Sequence, residues 1–132
     1  VQIVRCLSLL LVVLISAPPA WSETVFPKVL YMFVEKRTLI AANARLSRFD
    51  ELDLVANERI LEQATGKSVS IVATTDRFIA YSASLGRWKI ERRRAQERVQ
   101  TVEAEDFTGV VVTNDRFLNF NGETGIWAEY RR

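Results

Sequence analysis

Gly109-Val-Val-Val-Thr-Asn-Asp-Arg-Phe-Leu-Asn-Phe-Asn-Gly-Glu-Thr-Gly-Ile-Trp-Ala-Glu-Tyr-Arg-Arg132 decides how this chain is read, because an earlier stretch spells nearly the same thing. That stretch is Ser70-Ile-Val-Ala-Thr-Thr-Asp-Arg-Phe-Ile-Ala-Tyr-Ser-Ala-Ser-Leu-Gly-Arg-Trp-Lys-Ile-Glu-Arg-Arg93. At one gapless offset of 39 residues, Asp76/Asp115, Arg77/Arg116, Phe78/Phe117, Gly86/Gly125 and Trp88/Trp127 coincide. The offset reaches back once more through residue character. Phe33 falls on Val72 and Val111, Leu39 on Phe78 and Phe117, Ile40 on Ile79 and Leu118, and Phe49 on the two tryptophans. Outside that stretch, Ala56-Asn-Glu-Arg59 falls on Ala95-Gln-Glu-Arg98. A period near 40 residues marks stacked supersecondary units, and three are visible.

Within each unit the local pattern is a hairpin. Leu30 to Val34, Ile71-Val72-Ala73 and Val110-Val111-Val112 are short apolar runs, as expected of strands covered on both faces. Thr74-Thr75-Asp76-Arg77 and Thr113-Asn114-Asp115-Arg116 then turn the chain, since Asn and Asp side chains bond locally and tolerate turn geometry. The next strand puts Leu118 and Phe120 on one side, Phe117 and Asn119 on the other. Asn121-Gly122-Glu123-Thr124-Gly125 is a strong turn signal, and Ile126 to Arg131 reads as a third strand.

After each hairpin, Glu51 to Ala64 and Lys89 to Glu103 favour helix by propensity. No apolar stripe runs through Ile90, Arg93, Arg94 and Glu97, however, and a helix without one has no face to bury. Strand three to about residue 93, a turn at Arg94 to Glu97, and a fourth strand from Arg98 to Val102 account for the pattern better; Leu52, Leu54 and Ile60 are the equivalents one unit earlier. The expected fold is therefore all-β: about three four-stranded antiparallel repeats, a partial β-propeller. The alternatives are a compact β-sandwich or barrel, or an α+β fold if residues 51–64 and 89–103 are helical.

Gly109 to Arg132 resembles the blade hairpin of bacterial β-propellers of the PQQ-like repeat kind, in which an apolar run, a turn, an aromatic strand and a Thr-Gly pair precede a tryptophan. Here these are Val110-Val111-Val112, Asn114-Asp115, Leu118 to Phe120, Thr124-Gly125 and Trp127. Trp127 follows Gly125 by two residues, closer than that pattern prefers, and no WD40 Gly-His or Trp-Asp pair appears. Propellers of this family include quinone-dependent dehydrogenases and cofactor-free assembly scaffolds. No quinone- or calcium-binding constellation maps onto these positions, so the resemblance implies architecture and no cofactor.

Val1 to Ser22 reads as a signal peptide: Arg5 before an apolar core from Leu7 to Ile15, then Ala20-Trp21-Ser22 as a small-x-small cleavage site. The core is shorter than the roughly 20 residues a spanning helix needs, so membrane contact is expected only through this segment if it stays uncleaved. A periplasmic or secreted domain, 23–132, follows. Cleavage takes away Cys6, the one cysteine, and lowers the formal charge of +2 by the one unit of Arg5. Histidine is absent, which excludes imidazole catalysis and most transition-metal sites. The run Arg92-Arg93-Arg94 is flanked by Glu91 and Glu97 and lacks interleaved stacking aromatics, so it reads as a solvated strand end and not as a nucleic-acid stripe.

Phe49, Trp88 and Trp127 share one repeat position, where a large flat side chain fills the wedge between adjoining sheets. Asp76-Arg77 and Asp115-Arg116 read as turn residues with local charge pairing. Asp50/Glu51/Asp53 and Glu103/Glu105/Asp106 read as solvated loop charge, the competing use being a hard-cation or acid–base site. No residue takes a catalytic, cofactor or metal role; the candidate binding surface is Trp88, Trp127, Tyr81, Arg77 and Arg116. Propellers close at about four to eight blades. Three units therefore imply either assembly with a second copy or a piece of a longer propeller, the last unit stopping at Arg132 before a fourth strand and Glu23 to Phe26 standing where one would fall. The expected function is an exported, non-enzymatic recognition or scaffold module of the bacterial cell envelope, with a protein or glycan partner and homo-oligomers among its expected associations. The alternative is the scaffold portion of a larger exported propeller enzyme with catalytic groups on other blades.

Overall fold

Turn chemistry and strand patterning act together at one spacing throughout the chain. The computed structural model describes residues 26–132. It comprises β1 (Leu30–Glu35), β2 (Thr38–Asn43), β3 (Arg48–Asp53), β4 (Ile60–Thr65), β5 (Val69–Thr74), β6 (Arg77–Ser82), β7 (Arg87–Arg92), β8 (Val99–Ala104), β9 (Thr108–Thr113), β10 (Arg116–Asn121) and β11 (Ile126–Arg131). β1, β5 and β9 begin at residues 30, 69 and 108, the 39-residue spacing of the sequence repeat. They form three antiparallel sheets in the orders β1-β2-β3, β4-β5-β6-β7 and β8-β9-β10-β11, none of them closed into a barrel. Residues 51–64 and 89–103 hold no helix, and among the described residues no helix is long and apolar enough to cross a membrane.

The turns repeat in their backbone conformation as well. Ser47, Gly86 and Gly125 occupy one repeat position, and all three have positive φ, at 55°, 61° and 72°. That conformation is easiest without a Cβ, which is why glycine stands there in two of the three. Asn57 and Gln96, also one period apart, share a second left-handed position. A register shift recurs likewise, between Ile60 and Glu62 opposite β5 and between Val99 and Thr101 opposite β9.

One expectation is corrected by strand pairing. β4 and β8 hydrogen-bond to β5 and β9, the strands that follow them, so each opens a sheet instead of closing the one before. The third sheet therefore has its four strands, and β11 is its last. The first sheet has three among the described residues; of the Glu23–Phe26 segment only Phe26 is described, and it is not in a strand.

The sheets stack face to face, the second between the first and the third. Val69, Ile71, Ala73, Phe78 and Ala80 of the second sheet meet Val111, Leu118 and Phe120 of the third. On the opposite face, Val72 and Ile79 meet Leu39, while Tyr81 meets Leu30 and Ala41 of the first. β5 is consequently buried at all six positions. The expected two-sided cover holds only for that strand. β9 alternates buried with half-buried residues, and in β1 Tyr31 and Phe33 are 50% and 53% exposed, because these outer sheets have a neighbour on one face among the described residues. The alternation expected in β10 is seen: Leu118 and Phe120 are buried and Phe117 and Asn119 are exposed.

Backbones approach most closely where β4 and β5 meet β8 and β9. Trp88 on β7 and Trp127 on β11 fill the opposite side of the two seams. Trp88 packs edge-on to Tyr81 with ring centroids 4.8 Å apart, and Trp127 lies tilted on Phe120 at 5.2 Å. The Trp127 indole also donates to the Lys89 carbonyl of the second sheet at 3.3 Å. Phe49, at the same repeat position, is 71% exposed, since no described sheet lies in front of it.

Of the glycines between the second and third sheets, Gly66 has the least room: a methyl group there would overlap the backbone carbonyl of Glu105. Backbone cannot rotate aside as a side chain can. Gly66→Ala is expected to lower the urea midpoint by an amount corresponding to about 1–3 kcal/mol. An unchanged midpoint would show that the seam yields there.

Candidate functional site

At one end of the stack, the β5–β6 and β9–β10 turns meet the loops before β4 and β8. Thr74 begins the local structure: its hydroxyl accepts from the backbone N–H groups of Asp76 and Arg77 at 3.2 and 3.0 Å and donates to Glu58 at 2.5 Å. Glu58 takes a two-pronged contact from Arg77, Nε at 3.0 Å and Nη2 at 3.1 Å, and accepts from the Val55 N–H at 2.9 Å. One period later the arrangement recurs. Thr113 accepts from Asp115 and Arg116 and donates to Glu97 at 2.7 Å, while Arg116 reaches Glu97 at 2.8 and 3.1 Å and the Arg94 N–H bonds it at 3.0 Å. The arginine's partner is thus a glutamate 19 residues upstream, in place of the local pairing with the preceding aspartate that the sequence suggests.

The second cluster is the more enclosed. Arg116 also reaches Glu91 on the second sheet at 3.0 Å and Glu129 at 2.7 Å, so it ties the two sheets together. The side chains of Arg116 and Glu97 are 1% and 0% exposed. Burial alone would push the Glu97 carboxyl up; hydrogen bonds from Arg116, the Arg94 N–H and Thr113, with the guanidinium charge, reverse this and hold it at about 2. In Glu58 burial is likewise overcome by Arg77, Thr74 and Val55, and its pKa is lowered. Burial would lower the Arg116 pKa, but its three carboxylates raise it. Burial, then the Asp50 carboxylate, pushes the Tyr81 hydroxyl up to about 12.

Beside Arg77 opens a cleft of about 640 Å³, with Arg77, Arg92, Arg93 and Arg94 against the single carboxylate Asp76 over an apolar strip of Val55 and Ile90. Three of these cations are engaged. Arg77 holds Glu58, Arg93 donates to the Thr75 and Glu97 carbonyls at 2.7 Å each, and Arg94 pairs with Glu129 at 3.0 Å. Arg92, at the end of β7, makes no ion pair or hydrogen bond through its side chain among the described residues, and it is exposed. It is the cleft's uncommitted charge.

Of the five candidate residues, Tyr81 and Arg116 are 0% and 1% exposed, and Trp88 and Trp127 are half-buried in the seams. Arg77 alone of the five reaches the cleft. Asp50, Glu51 and Asp53 lie on β3 and Glu103 on β8, in strands instead of loops; Asp50 accepts from Tyr81 and Arg48, and Asp53 from Thr38. Among the described residues, no three Asp, Glu, Cys or His side chains are grouped so as to hold a metal ion; the three carboxylates around Arg116 are taken up by its guanidinium. The residues that sequence reasoning left unassigned are Glu58 and Glu97; the signal for them was the pairing of Ala56-Asn-Glu-Arg59 with Ala95-Gln-Glu-Arg98 at the same offset as the threonine and arginine. No protein-family model matches the chain, and no curated protein sequence matches it.

Removing one member of a buried ion pair leaves an uncompensated charge, at about 3–5 kcal/mol. Arg116→Met is expected to destabilise by that amount in urea unfolding, and Arg116→Met with Glu97→Met together by less than the single change. A double variant as unstable as the single would show that the pair itself supplies the stability.

The pH dependence follows from the same group. Its carboxyl falls from the ordinary 4.5 to about 2 on folding. The contribution is complete above the unfolded value and is lost as pH falls towards the folded one. Urea midpoints should therefore drop between about pH 4.5 and 2, and drop less in the double variant. Equal slopes would remove the assignment.

Proposed function

We propose that the chain is an exported, non-enzymatic, propeller-like module of the bacterial cell envelope that recognises or holds a protein partner by an acidic segment in the arginine-lined cleft. The observation that carries the reading is the cleft's composition: four arginines and one aspartate over Val55 and Ile90, with Arg92 uncommitted. A glycan partner is favoured less, because sugar rings stack on exposed aromatics and the two tryptophans at the repeat position are packed in the seams. The propeller reading is supported by sheets that meet through β4, β5, β8 and β9, with tryptophans on β7 and β11 filling the other side. Export is supported by the Arg5, Leu7–Ile15 and Ala20-Trp21-Ser22 pattern, which lies outside the described residues. The absence of histidine supports a non-catalytic role.

A fluorescein-labelled peptide of alternating Glu and Leu tests the cleft directly by anisotropy. Binding should weaken as salt rises, and Arg92→Glu should weaken it about tenfold, while the Lys-Leu counterpart peptide stays free. Salt-independent binding, or none, removes the reading. Binding of an acidic polysaccharide in place of the peptide replaces the protein partner with a glycan.

A further inference from the structure

Each sheet presents a back face to the preceding sheet and a front face to the following one. The two seams inside the chain are built alike. In the first, the Val29 N–H donates to the Lys67 carbonyl at 2.8 Å, and the Asn43 side chain donates to the Ala83 carbonyl at 2.9 Å. In the second, the Ser68 N–H donates to the Asp106 carbonyl at 2.9 Å, and the Ser82 hydroxyl donates to the Gly122 carbonyl. These four contacts are two contacts repeated one period apart.

The same series continues on the front face of the third sheet. Phe107 stands one period after Ser68 and Asn121 one period after Ser82. The Asn121 side-chain oxygen accepts from the Glu123 and Thr124 N–H groups at 2.8 and 3.2 Å, as that of Asn43 accepts from Leu46 at 3.1 Å. Its amide nitrogen and the Phe107 N–H have no partner among the described residues. One period before Lys67 and Ala83 stand Lys28 and Ala44, at the first sheet, and their carbonyls accept no hydrogen bond among the described residues. Donors remain at one end and the matching acceptors at the other.

Apolar side chains follow the same division. The front face of the third sheet exposes Phe117, Ile126 and Tyr130, and the back face of the first exposes Tyr31, Phe33 and Phe49. Phe49 holds the wedge position that Trp88 and Trp127 occupy in the internal seams.

We propose that two copies of this chain associate head to tail, the front face of each third sheet seating on the back face of the other copy's first sheet. The third seam then has the contacts of the two internal ones: Asn121 to the Ala44 carbonyl, Phe107 N–H to the Lys28 carbonyl, and Phe49 in the wedge. Two such seams join six sheets. Six lies within the roughly four to eight at which sheets of this size close into a ring, and a head-to-tail contact that closes gives a finite assembly. Closure rests on the propeller reading, and the seam itself rests on the repeated contacts alone.

Light scattering on the purified chain should give twice the mass of one chain. Phe49→Asp, on the back face, and Tyr130→Asp, on the front face, should each give folded monomers with unchanged circular dichroism. Mixing the two variants should restore a dimer, because one seam between them keeps both native faces. Asn121→Ala should raise the dissociation constant about tenfold. A monomeric parent chain overturns the proposal, as does a mixture that stays monomeric; a dimer that persists in one of the two single variants indicates a symmetric face-to-face contact and overturns it as well. Chains that lengthen with concentration overturn the closed pair. Arg92→Glu should leave the mass unchanged, so that failure of the cleft and failure of the seam are separately visible.

Discussion

A strand that is apolar on both faces can be buried only between two other layers, and β5 imposes that requirement on everything around it. Each of its six residues is covered. Val69, Ile71 and Ala73 require the third sheet, and Val72 requires the first. A sheet laid on a single partner leaves one face in water, which β1 and β3 do with Phe33 and Phe49. Stacking therefore follows from the content of the repeat, and each added sheet covers the one before while presenting a further face.

Apolar contact leaves the sheets free to slide, and polar contacts at the two ends of each seam oppose this. At one end, backbone carbonyls of successive units accept from the unit before. At the other, Arg116 binds carboxylates of β7, β11 and the loop before β8, joining second and third sheets through one guanidinium. Such an arrangement is directional and intolerant of a shifted register. Arg77 lacks the equivalents of Glu91 and Glu129, because Leu52 and Ile90 stand at those positions. Its surroundings are accordingly more open, and the cleft lies there.

The period, the strands and the turns were legible in the sequence because they are local. Alternation of Leu118 and Phe120 with Phe117 and Asn119 gives the faces of β10 directly, and Gly86 and Gly125 mark backbone that few other residues adopt comfortably. What was not legible depends on pairing across the chain. Whether β8 belongs to the sheet before or after it is a matter of hydrogen bonding, and the sequence from Arg98 to Val102 reads the same either way. Arg116 adjoins Asp115, which invites a local pair, yet the two-residue turn sends the arginine inwards to Glu97. Glu97 in turn looks like one more surface acid in a charged loop. Only its coincidence with Glu58 distinguishes it.

The register shift at Leu61 and Gln100 bears on how this architecture avoids uncontrolled growth. β4 and β8 are edge strands, and the unpaired backbone along an edge is a template on which another chain's strand can add. An extra residue in the strand bends it and breaks the even spacing a newcomer would need. Since both four-stranded sheets carry the irregularity at the same place, the protection of this one edge, the edge opposite β7 and β11, is inherited with the repeat.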